Sequence, residues 1–143
     1  MACPFFMPVE RLDQDLWILP PRLPLSDAFR GVCHAHSEPF DPPERSLREL
    51  CNCGYARGRC ERFPADTAAD AVRFSITGEQ DGIVRLVYIV EHDYAPAEHG
   101  VLEYSIPESQ LNGQVSDVLA AQARAFLASH LRRALDSASA ASF

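Results

Sequence analysis

Five cysteines lie within the first 60 residues: Cys3, Cys33, Cys51, Cys53 and Cys60. In a reducing compartment, clustered cysteines are more often metal ligands or reactive thiols than disulfide partners. The odd number also leaves one cysteine out of any complete pairing. Because thiolates favour zinc and the iron of iron–sulfur clusters, the first half of the chain predicts a cysteine-centred site that binds a metal ion or a cluster.

The spacing of these cysteines favours an iron–sulfur cluster over zinc. Structural zinc sites usually contain paired Cys-x2–4-Cys ligands, whereas this chain has Cys-x17-Cys, Cys-x-Cys and Cys-x6-Cys from Cys33 onward. A 4Fe–4S cluster is larger than one ion, and its four corners accept dispersed ligands. We therefore predict a 4Fe–4S protein that serves in electron transfer or redox sensing. The alternatives are a zinc-stabilised interaction module without catalysis, and a metal-free thiol site at Cys51 or Cys53.

Four of the five cysteines are needed to ligate such a cluster. The preferred set is Cys3, Cys33, Cys51 and Cys60, because Cys51 and Cys53 are too close along the chain to bind one small cluster without cramping it. A rival set replaces Cys3, which lies near a chain terminus, with Cys53. His34 and His36 are reserve ligands in the zinc interpretation.

The pair Cys51 and Cys60 brackets the tripeptide Gly54-Tyr55-Ala56 in a Cys-x8-Cys arrangement. This segment resembles one found in small bacterial cysteine-containing proteins, over roughly residues 33–64. The resemblance implies ligand roles for Cys51 and Cys60 and brings no particular activity with it. Cys53 lies between these two cysteines in the sequence.

Charged residues near the cysteines suggest two further features. Arg57, Arg59 and Arg62 surround Cys60, and nearby cations favour a thiolate or an anionic cluster; they would also suit a docking face. Farther along, Glu91-His92-Asp93 and Glu98-His99 combine histidine with carboxylates, which suits metal or acid–base chemistry. Because connecting loops are polar by default, we interpret these two groups as parts of an inter-strand loop.

The elements that position the cysteines begin with a short helix. Asp41-Pro42-Pro43-Glu44 has the composition of a helix start, and we expect the helix to run to about Cys51. Asn52 and Gly54 supply C-terminal stop residues. Gly54 and Gly58 let the following loop curl tightly enough to return Cys60 toward Cys51.

The second half of the chain predicts a sheet covered by a helix. Alternating apolar residues indicate strands over about 72–76, 83–91 and 101–105, joined by loops at 78–82 and 92–100 into a three-stranded antiparallel meander. An apolar stripe over about 114–135, broken by the polar Gln122, indicates a long C-terminal helix. We expect this helix to pack on one face of the sheet.

The fold class is therefore α+β in a single domain over residues 1–136. Residues 1–64, which hold most of the 11 prolines, form an irregular half around the cysteine site. Residues 71–136 form the sheet and the helix, and residues 137–143 are a frayed low-complexity tail.

Composition limits the partners. A net charge of −7 argues against binding driven by nucleic-acid phosphates or by anionic membranes. No apolar run approaches the ~20 residues of a membrane-spanning helix, and the N-terminus lacks a secretory signal, so we expect a cytoplasmic protein with a redox or other protein partner. The chain has no phosphate-binding loop, dinucleotide fingerprint or nucleophile elbow.

Overall fold

The computed structural model describes residues 2–12 and 28–141, with side chains through residue 135. Residues 13–27, part of the half predicted to be irregular, lie outside this description. The elements in chain order are β1 (Phe6–Arg11), β2 (Phe29–Cys33), α1 (Glu44–Ser46) continuing as a π-helical turn (Leu47–Cys51), β3 (Ala71–Gln80), β4 (Ile83–His92), β5 (Ala95–Ser105), β6 (Gln110–Asn112) and α2 (Asp117–Ala141). The α+β class is confirmed.

The main sheet has four antiparallel strands in the order β3-β4-β5-β6, so the prediction of three strands was wrong. The additional strand, β6, is a three-residue segment that pairs with the end of β5. It is too short to show a period-2 hydrophobic pattern, which is why alternation did not reveal it.

The predicted loops between the long strands are in fact two-residue turns. Asp81-Gly82 joins β3 to β4 and Asp93-Tyr94 joins β4 to β5, and all four residues have positive φ. This is the geometry of a type I′ hairpin, whose twist matches that of the flanking strands. The nine-residue loop predicted over 92–100 was wrong because residues 95–100, although largely exposed, are part of β5, which pairs with β4.

The N-terminal half, which was predicted to be irregular, contains a second sheet. β1 and β2 pair antiparallel with Phe6 opposite Cys33. The register shifts between Pro8 and Glu10, and a bulge is one of the places where a strand tolerates proline. Ala2 also forms an isolated bridge with Val72 of β3, so the N-terminal segment is hydrogen-bonded to the main sheet.

One hydrophobic core joins both sheets and α2. Phe6 of β1, Leu86 of β4 and Leu127 of α2 are almost completely buried members of the same cluster, and Phe126 stacks on Phe74 of β3 at 5.6 Å between ring centroids. The long C-terminal helix is thus confirmed, and residues 137–141 continue it. No helix in the described part of the chain is long and apolar enough to cross a membrane.

Candidate cysteine site

Three of the predicted ligands line one pocket of about 300 Å³ between β2, the π-helical turn and the loop that follows it. These residues are Cys33, Cys51 and Cys60. The rest of the lining consists of Phe40, Pro42, Pro43, Ser46, Leu50, Arg59, Glu61 and Arg62. Residues separated by up to 29 positions in the sequence therefore share one concave surface.

Cys3 is held beside this group by its backbone. Its N–H donates to the carbonyl of Cys51 at 3.0 Å. Its own carbonyl accepts a 2.8 Å bond from Nε2 of Gln122, which also donates to the carbonyl of Phe6 at 2.7 Å. Gln122 is fully buried, so the residue that looked like a break in the apolar stripe of α2 fixes the turn that carries Cys3.

Cys33 and Cys51 are brought together by a buried asparagine. The side chain of Asn52 donates to the carbonyls of Phe29 and Leu47 and accepts the N–H of Phe29. These bonds of 2.9–3.0 Å tie the end of the π-helical turn to the start of β2. Cys33 ends the same strand, and it is bridged to Phe40 on its other side.

Cys60 returns to the pocket through a compact loop. Gly54, Tyr55 and Gly58 have φ of 79°, 56° and 80°, and Cys60 closes the turn by donating its N–H to the carbonyl of Ala56 at 2.8 Å. A left-handed conformation carries no steric cost for glycine but is strained for a bulky residue such as tyrosine. The expected tight curl is therefore present, with Tyr55 as a position that surrounding contacts must hold.

Those contacts come from several residues near the start of β3 and the end of β4. The Tyr55 hydroxyl donates to Glu91 at 2.6 Å and accepts the Tyr94 N–H, and the Tyr55 and Tyr94 rings stack at 4.1 Å. Arg57 pairs with the buried Asp70 at 2.8 Å. We call this set of bonds the loop latch, because it fastens the Cys51–Cys60 segment to the main sheet.

Electrostatic interactions link the four thiols. Burial is the main cause that raises the pKa of Cys3 to about 12; the neighbouring Cys33 and Cys60 contribute to the increase, while the amides of Phe5 and Phe6 oppose it by favouring the thiolate. Burial also raises the pKa of Cys51, with added contributions from Cys3, Cys33, Cys60 and Cys53. Such thiols are protonated at neutral pH and are poor nucleophiles, whereas a bound metal cation deprotonates a thiol that coordinates it.

Cys53 does not line the pocket. Its thiol donates to the carbonyl of Arg48 at 3.3 Å, and burial raises its pKa. His34 and His36 occupy the turn between Cys33 and Phe40, where His36 is exposed, and neither is among the pocket residues given above. The preferred ligand set and the alternatives with Cys53, His34 or His36 therefore remain predictions.

The described residues include no group of three or more histidine, cysteine, aspartate or glutamate side chains arranged to hold a metal ion. The four thiols are neighbours, but their sulfurs are not gathered around a single point. A cluster or ion would have to draw them inward.

Most of the acidic and histidine residues singled out near 91–99 belong to strands, and Asp93 lies in the turn between them. Glu91 and His92 end β4, and Glu98 and His99 lie in β5. His92 contacts Asp70 through Nδ1 at 3.1 Å, and the Asp93 N–H donates to the same carboxylate at 2.8 Å. Glu91, His92 and Asp93 therefore take part in the polar network that includes the loop latch.

Sequence reasoning missed Asn52 and Gln122 as positioning residues. Their signal was a polar side chain at a position where helix geometry predicts burial, since Gln122 interrupts an apolar stripe and Asn52 ends a helix between two cysteines. Comparison of the chain with protein-family models, curated proteins and solved structures found no match.

Proposed function

We propose that this protein binds a 4Fe–4S cluster through Cys3, Cys33, Cys51 and Cys60 and uses it in electron transfer or redox sensing. The observation that carries the proposal is that Cys33, Cys51 and Cys60 line one pocket, while the Cys3 N–H donates to the Cys51 carbonyl beside it. A cluster of this type takes four cysteine thiolates. With every iron ligated by the protein, electron exchange is a more natural role than substrate binding.

The environment suits a cluster in two further respects. Hydrogen bonds to the ligand sulfurs and protection from solvent are among the factors that set cluster potentials. Amides of the Cys3 turn favour the Cys3 thiolate, and Phe5 packs edge-on against Phe63 at 5.6 Å between centroids near the same segment. Four adjacent thiolates in a part-buried site also repel one another, and the iron ions of a cluster would offset that repulsion.

Anaerobic purification tests the proposal directly. We expect a brown protein with broad absorption near roughly 400 nm, from thiolate-to-iron charge transfer, and about four irons and four sulfides per chain. A colourless protein with one zinc per chain would support a zinc-stabilised module instead. A protein with neither metal would leave only thiol chemistry.

Serine variants test the ligand set. Cys51→Ser and Cys3→Ser should lose most of the bound iron, because each removes a thiolate from the convergent group. Cys53→Ser is the matched control and should retain the iron content and spectrum of the wild-type protein, because its thiol is bonded to the Arg48 carbonyl. Loss of iron in Cys53→Ser with retention in Cys3→Ser would assign the rival ligand set.

A further inference from the structure

The arginine that borders the cysteine pocket has an unusual hydrogen-bonding state. Nε of Arg62 is buried and has no hydrogen-bond partner among the described residues. A buried N–H without a partner costs about 1–3 kcal/mol. Such groups in a native protein call for an explanation, and a redox role or a bound water or ion are among those that apply.

The position of Arg62 is fixed by an aromatic ring. Its guanidinium carbon lies 4.1 Å from the centroid of the Phe40 ring, within the range of a cation–π interaction. Both residues line the pocket together with Cys33, Cys51 and Cys60. The guanidinium of Arg62, a permanent positive charge with an N–H unpartnered in the described part of the chain, therefore lies in the wall of the pocket that these three cysteines line.

The local charge supports an anionic ligand. The chain as a whole carries −7, yet residues 44–62 contain five arginines and three glutamates. Of these, Arg59, Arg62 and Glu61 line the pocket, and Arg59 and Glu61 are exposed. Arg62 is less exposed than Arg59 and Glu61 and packs against the Phe40 ring. Solvent therefore screens the charge of Arg62 least.

We infer that Arg62 is a positioning and tuning residue for an anionic iron–sulfur cluster in this pocket, supplying the cluster with a positive charge and an N–H donor. This inference rests on the proposed function and adds to it the residue that sets the electronic state of the bound group. A cation close to the cluster stabilises the reduced form, which is the more negative one, and so raises the reduction potential.

Redox titration of the purified cluster-containing protein tests the inference. Arg62→Met keeps much of the aliphatic stem and removes the charge and the donor, so it should lower the midpoint potential by the equivalent of about tenfold in the reduction equilibrium, about 59 mV for one electron. Arg62→Lys keeps the charge but not the Nε–H and should give a smaller decrease. Phe40→Leu removes the ring that supports the guanidinium and should also lower the potential.

The matched control is Arg45→Met, which removes an exposed arginine paired with Glu49 on the adjacent helical segment. Its potential should equal that of the wild-type protein. If Arg62→Met and Phe40→Leu also equal the wild type while iron and sulfide contents are unchanged, the assignment of Arg62 is overturned and the cluster stands. If the wild-type protein binds no iron, the proposed function fails and the assignment fails with it. If Arg62→Met loses its cluster, the midpoint potentials of Arg62→Lys and Phe40→Leu decide whether the assignment of Arg62 stands.

Discussion

Single polar side chains, rather than long elements, hold the cysteine-bearing segments together. Gln122 is the clearest case, because its one amide nitrogen serves the carbonyls of both Cys3 and Phe6 within a fully buried position. A buried carbonyl that loses its hydrogen-bond donor lowers the stability of the fold, because its desolvation is no longer offset by a hydrogen bond. The position of Cys3 therefore depends on a residue 119 positions away in the sequence.

Replacing Gln122 tests this dependence. Gln122→Met is similar in size and removes both donors, so we expect the free energy of unfolding to fall by about 1–3 kcal/mol and the protein to lose iron to a chelator faster. Urea unfolding and chelator kinetics measure the two effects. Gln110→Met, at an exposed position in β6, is the control and should change neither. Equal iron-loss rates for Gln122→Met and the wild-type protein would show that this glutamine does not position Cys3.

At the scale of elements, the β1–β2 sheet acts as the support for two of the proposed ligands. Cys3 precedes β1 and Cys33 ends β2, with Phe6 directly opposite Cys33. The two strands approach closely at Gly31, where a Cβ atom would lie 2.1 Å from the Met7 carbonyl oxygen and 2.8 Å from the Phe6 ring. A glycine is required there because neighbouring backbone occupies the space of a side chain.

Gly31→Ala should therefore force the strands apart. We expect a loss of about 1–3 kcal/mol in the free energy of unfolding, the usual cost of overpacking, together with reduced iron content. Gly78→Ala in β3 is a matched control, since nothing lies within 4 Å of the added Cβ and its φ is not positive. That variant should stay within about 0.5 kcal/mol of the wild type. If Gly31→Ala changed neither the free energy of unfolding nor the iron content, the spacing of β1 and β2 would not determine the geometry of the cysteine site.

Across the whole molecule, the main sheet and the cysteine-bearing half are joined by buried carboxylates. Glu91 accepts a bond from Tyr55 and pairs with Arg73 at 2.8 Å. The Tyr55 hydroxyl and Arg73 hold the pKa of Glu91 below its usual value. Burial opposes the ionisation of Asp70, but the Asp93 amide and Arg57 outweigh it, so the pKa of Asp70 is lowered as well.

This arrangement predicts loss of stability in acid. A carboxyl whose folded-state pKa is lowered stabilises the fold fully above its unfolded pKa, about 3.9 for aspartate and 4.3 for glutamate, and that contribution disappears as the pH falls through the folded value. The stability gap between the wild type and Glu91→Gln should therefore be largest near pH 7 and shrink below about pH 4. Urea unfolding across this range measures it.

Glu103→Gln is the control for the pH experiment. Its carboxylate pairs with Arg85 at 3.2 Å while both side chains are about half exposed or more, and exposed ion pairs contribute about 0–1 kcal/mol. Its stability should follow the wild-type pH profile. A gap for Glu91→Gln that is constant from pH 7 to pH 3 would contradict a role for the Glu91 charge.

The sequence by itself determined the α+β class, the two long hairpin strands and the C-terminal helix. Each of these is expressed locally, as alternation over β3 and β4 or as an apolar stripe along α2. Local chemistry of this kind is readable because neighbouring residues experience the same backbone geometry.

Only the tertiary structure decided which distant groups meet. β1 with its proline, β6 with its three residues and the exposed stretch at 95–100 lack a local hydrophobic pattern, so the sequence does not reveal which strands they pair with. The hydrogen bonds of Asn52 and Gln122 likewise depend on burial and on residues far along the chain. A side chain's hydrogen-bonding state is set by what packs against it, and packing is a property of the folded molecule.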